Sequence, residues 1–84
     1  MEFNEKAIGN VIRKLRERRK WSQTVLADFA GLSRSHLSEI ENGLKSPNLS
    51  TLWRIAEAFD MQTSDMIRMA EEEIRYEKEE ENNE

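Results

Sequence analysis

Between Gln23 and Ser46 lies a set of polar side chains whose chemistry suits the base edges and phosphates of a nucleic acid. Arg34 carries N–H donors in a planar fork that can bond guanine O6 and N7 together. The hydroxyls of Ser35 and Ser38 donate or accept. Glu39 only accepts, which suits cytosine N4, but its charge repels phosphates and so needs a base or an arginine nearby. The Gln23 amide, with free backbone N–H groups at the start of a helix, suits a phosphate. Ser33 and His36 lie close to Arg34. Asn42, Lys45 and Ser46 follow, placed to clamp a sugar-phosphate backbone. The plain alternative is a solvated helix surface, and for His36 the two readings stand level.

These residues need helices to position them. Ala7, Ile8, Val11, Ile12 and Leu15 recur at spacings of three and four, which predicts an amphipathic helix to about Arg19. Asn4 is its expected cap, with Phe3 as a hydrophobic staple. Ser22 is expected to cap a second helix, stopped by Gly31. Ser33 caps a third, which ends at Asn42-Gly43. A fourth is expected from about Ser50 to Phe59, after a loop holding the single proline, Pro47. Thr63 or Ser64 caps a fifth, whose stripe of Met66, Ile67, Ala70 and Ile74 fails beyond Ile74. The expected fold is an all-α domain, a bundle of five helices with an extended C-terminal helix. Residues 1–75 form that domain, and 76–84 form an acidic, frayed or disordered tail.

Composition bounds the function classes. The chain has 84 residues and no cysteine, so disulfides and thiolate metal sites are out, and His36 alone builds no zinc site. No cofactor and no metal are expected. There is no phosphate-binding glycine loop and no catalytic cluster, so an enzyme is not expected. No stretch suits a membrane span. The net charge of −4 at first argues against nucleic acid. Its distribution reverses that: residues 1–50 carry nine Lys/Arg against six Asp/Glu, and residues 51–84 carry four against eleven. A phosphate-binding face is compatible with acid gathered in the last third.

A short helix, a glycine turn and a second helix make a helix-turn-helix, whose second helix enters the major groove in DNA-binding examples. On a helical wheel Ile40 and Glu41 fall within about 60° of Leu37, on the inner side, whereas Ser35, Glu39 and Asn42 fall opposite. The sequence here resembles the Xre/Cro repressor family, across about Ile8 to Ile67. The resemblance is carried by Ser22-Gln23, Leu26-Ala27, Ala30-Gly31-Leu32-Ser33, Leu37 to Gly43, Pro47, Thr51-Leu52 and Ile55-Ala56. It implies a five-helix domain that binds operator DNA as a dimer. It also implies a phosphate contact for Gln23, base-facing Arg34, Ser35 and Glu39, and an Arg16–Glu41 pair tying the first helix to the third. One departure stands out: Lys20 occupies a position where many members have glycine.

The sequence therefore leads to a transcriptional regulator, a repressor by preference, acting as a homodimer on partly palindromic double-stranded DNA. Met66, Ile67, Ala70 and Ile74 are the expected dimer surface. The expected location is cytoplasmic, on the nucleoid. Two alternatives stay open: an antitoxin that autoregulates through the same motif while binding a protein partner, and a protein–protein adaptor without DNA affinity. Trp21 and Trp53 are expected in the core or at its rim, not stacked on bases.

Overall fold

The computed structural model describes the backbone of residues 4–82 and the side chains of residues 4–76. Among these are five helices and no strand: α1 (Glu5–Arg18), α2 (Gln23–Ala30), α3 (Arg34–Glu41), α4 (Leu49–Ala58) and α5 (Thr63–Asn82). The expected Phe3 staple lies outside the described residues.

Short polar side chains start the first four helices by bonding otherwise unpaired N–H groups. The Asn4 carboxamide accepts from Lys6 N at 2.9 Å, Ser22 Oγ from Val25 N at 3.1 Å, and Ser33 Oγ from His36 N at 3.1 Å. Asn48, expected in the loop, caps α4 by accepting from Thr51 N at 2.8 Å, so that helix begins at Leu49. Thr63 is the first residue of α5, not its cap. The backbone stays helical to Asn82, well past the apolar stripe. Glu, Lys and Arg have good intrinsic helix propensity, so the end of a stripe need not end a helix.

Lys20 adopts φ 58°, the left-handed conformation for which glycine is the natural residue. The chain reverses there because Trp21 N donates to Arg16 O at 3.2 Å and Lys20 N to Glu17 O at 2.9 Å, closing the end of α1. Trp21 then stacks on Phe59, with ring centroids 5.5 Å apart and planes 10° from parallel. The first turn is thus made without glycine and held by an aromatic anchor.

One core joins all five helices. Ile12, Leu26, Leu37, Ile40, Ile55 and Met66 are fully enclosed, with Phe59 beside them. Helix α1 packs on α3 and α5, α2 on α3 and α4, and α4 on α5. Helices α2 and α3 are therefore supported from behind, leaving one side of the pair open.

Candidate nucleic-acid interface

The turn between α2 and α3 is fixed by its glycine. Gly31 takes φ 69°, and Leu32 N reaches back to Ala27 O at 2.8 Å. Arg54, from α4, donates to Gly31 O at 3.2 Å and covers the end of α2.

Helix α3 is held from three sides. Leu37 and Ile40 are sealed in the core. Gly9 of α1 lies directly against the α3 backbone: a Cβ there would meet the Ile40 carbonyl oxygen and come within 2.8 Å of Glu41 O. Glu41, only 2% exposed, is enclosed by donors. Arg16 Nε donates to Oε2 at 2.8 Å, Arg16 Nη2 to Oε1 at 2.9 Å, and Gln23 Nε2 to Oε1 at 3.1 Å. Arg16 Nη1 also donates to Trp21 O at 2.8 Å. The bond to Glu41 raises the Arg16 pKa above its ordinary value, outweighing the opposing effect of burial. Such a two-pronged pair fixes angle as well as distance, so α3 is oriented by α1 and α2 together.

The opposite side of α3 is open. Arg34 and Ser35 are exposed at its first turn, and His36, Ser38 and Glu39 are half-buried. Asn42 Nδ2 donates to Ser38 Oγ at 3.4 Å. Lys45 Nζ lies 3.3 Å from Glu39 Oε2, an ion pair the sequence did not reveal, although six residues spanning a tight turn permit it. Ser46 is exposed beyond. Ser33 uses its hydroxyl oxygen as the α3 cap, which leaves its proton to donate. Gln23 is not free: its amide binds Glu41, and its second N–H remains for an outside acceptor.

Much of the basic run in α1 serves the fold. Besides Arg16, Arg19 donates to Phe59 O at 2.7 Å and lies 5.1 Å from the Trp21 ring centroid. Arg13 donates to Asn10 at 2.6 Å, and Lys14 sits 3.4 Å from Glu73 on α5.

The residues expected to form a dimer surface divide. Met66 and Ala70 are buried within the chain itself, so they belong to the core. A helical stripe on the wheel cannot show whether its neighbour is the same chain or another. Ile74 is half-buried against that core, and Ile67 is exposed. The larger exposed apolar residues nearby are on α4: Leu49 and, one turn on, Trp53, 66% and 56% exposed. Trp53 lines a shallow depression with Thr63 and Ser64, at the start of α5.

A helix locked on one side and presenting hydrogen-bonding groups on the other, behind a glycine turn, defines the helix-turn-helix class. The chain belongs to the helix-turn-helix family, whose model matches residues 12–66. It is similar to the competence pilus inhibition repressor of Acinetobacter baylyi, 39% identical over 64 residues, covering 76% of this chain and 58% of the relative. It is also similar to the immunity repressor protein of Bacillus phage phi105, 38% identical over 78 residues, covering 88% and 54%. The chain thus spans little more than half the length of these two relatives. Among solved structures, the clp gene regulator ClgR from Corynebacterium glutamicum shares the fold, with a TM-score of 0.87 at 22% identity, over 96% of this chain and 86% of that one. The restriction-modification controller protein C.AhdI from Aeromonas hydrophila gives 0.71 at 29% identity, over 74% and 94%. The resemblance to Xre/Cro repressors agrees with this membership, and the relatives named are regulators and repressors, not enzymes. Among the described residues, no helix is long and apolar enough to cross a membrane.

Proposed function

We propose that this chain is a transcriptional repressor that binds a partly palindromic operator as a homodimer, with α3 in the major groove. The observation that carries the reading is the division of α3: Leu37, Ile40 and Glu41 are sealed, while Arg34 and Ser35 stand exposed at its first turn. Arg34 reads guanine, and Ser35, Ser38 and Glu39 meet neighbouring base edges. Gln23, Ser33, His36, Asn42, Lys45 and Ser46 fix the register on phosphates. Repression follows from occupancy, on DNA in the cytoplasm.

Two copies meet through Leu49, Trp53 and Ile67, with the exposed side of α5 continuing the contact. A two-fold pair of this kind sets two recognition helices about 34 Å apart, one turn of duplex.

The test is fluorescence anisotropy with labelled duplex across a salt series. Binding should be tight at low salt and fall steeply by moderate salt, through counterion release. Absence of duplex binding at low salt would sink the reading. Sedimentation of Trp53→Ala should show a monomer; an unchanged dimer would exclude the α4–α5 face.

A further inference from the structure

We infer that Glu39 and Lys45 form one base-reading unit, and that the operator strand it meets carries a base offering a major-groove amino group at that position. The inference rests on the proposal that α3 is the recognition helix.

Of the two acids in α3, Glu41 is enclosed, so Glu39 alone brings negative charge toward the groove. Duplex DNA carries one phosphate charge per roughly 1.7 Å of axis, so an uncompensated carboxylate there is repelled. Lys45 supplies the compensation at 3.3 Å. The backbone holds it in place, because Leu44 N donates to Glu39 O at 2.9 Å and Lys45 N to the same oxygen at 3.3 Å. The loop that carries the cation is thus tied to the residue it neutralises. An ammonium has three N–H donors, so Lys45 can keep one on Glu39 and offer the others to a phosphate.

With its charge balanced, Glu39 remains an acceptor without a donor. It can pair with cytosine N4 or adenine N6 and is opposed by guanine O6 and N7 and by thymine O4. Arg34 stands five residues earlier, about 7.5 Å back along the helix and turned about 140° around it, so the two side chains meet different base pairs. The half-site should therefore hold a guanine for Arg34 and, at a separate position, an amino-bearing base for Glu39 with Lys45.

The experiment enriches a randomised duplex pool on the full chain. It then measures affinity for the enriched site and for random duplex with wild type, E39Q, K45Q and the double variant. Wild type should enrich cytosine or adenine at the Glu39 position, and E39Q should relax that preference by about tenfold. K45Q should weaken the enriched site about tenfold more than random duplex, because only there does Glu39 sit at a base edge, deep between the phosphates, where it needs the cation. In the E39Q background, K45Q should cost the same on both duplexes. The inference fails if K45Q costs the same with or without Glu39, or if guanine and thymine enrich equally at that position; the operator reading survives either result. A pool with no enriched site and no binding at low salt overturns both.

Discussion

The two sides of α3 share eight residues and almost nothing else. Inside, Leu37 and Ile40 are fully enclosed, and Glu41 accepts three hydrogen bonds from two other helices. Outside, Arg34 and Ser35 are exposed, and Glu39 has one partly exposed partner in Lys45. The inner side sets where the helix is; the outer side sets what it meets. Substitutions inside should change stability, with recognition lost only as a consequence. Substitutions outside should change recognition on an intact fold.

The sharpest way to break the comparison is Glu41→Ala. It leaves the Arg16 guanidinium, whose side chain is 13% exposed, without its anion. Removing one member of a buried pair costs about 3–5 kcal/mol, read as a lower urea midpoint. A loss below about 1 kcal/mol would mean the pair behaves as a surface one. Its sign with pH is fixed by Arg16. A raised folded-state pKa gives stability that is complete below arginine's ordinary range and lost only as pH climbs past the raised value. The Arg16 contribution should therefore be flat from pH 6 to pH 9, by thermal melts across about that range.

Gly9→Ala comes next. The new methyl group meets the carbonyls of Ile40 and Glu41, backbone atoms that cannot rotate aside, so α1 and α3 must separate. A loss of about 2–3 kcal/mol is expected in chemical denaturation, against a gain if the site were an ordinary helix interior.

Arg34→Ala tests the outer side. Discrimination between the best duplex and its guanine-substituted variant should fall by about 1–3 kcal/mol, with the urea midpoint unchanged. A shifted midpoint would show that the two sides are not independent.

The smallest effect should be a gain. Lys20→Gly relieves a left-handed residue and should stabilise by roughly 0.5–1 kcal/mol, a rise of about 3–6 °C in the melting midpoint. An unchanged or lower midpoint would show that the lysine stem contributes packing that offsets the strain.

The helix order was legible because caps and periodicity are local signals. Ser22, Ser33 and Asn4 announce helix starts, and Gly31 announces a turn, each from residues a few positions apart. The Arg16–Glu41 pair came from family resemblance alone, since 25 residues separate the partners and no local rule joins them. Gly9 is less legible. A glycine inside a helical pattern is a faint sign of close packing, but the sequence does not name the helix it packs on. Met66 and Ala70 read as a partner-facing surface for the same reason: periodicity identifies an apolar side and not its neighbour. The outer residues of α3 were legible as a surface. The partner of Glu39, Lys45, was not, nor was Glu41 as the partner of Gln23 at the start of α2.

The two tryptophans lie in opposite surroundings, one half-buried and stacked on Phe59, the other open on α4. The protein therefore carries two intrinsic optical reporters of different events. Trp21, with Arg19 over its ring, should keep a blue-shifted emission for as long as the turn after α1 stays docked on Phe59 at the end of α4. Trp53 should emit as a solvated indole in the single chain and shift to the blue only when another surface covers it. A dilution series with Trp21→Phe would then follow assembly by light alone, and one with Trp53→Phe would follow unfolding alone.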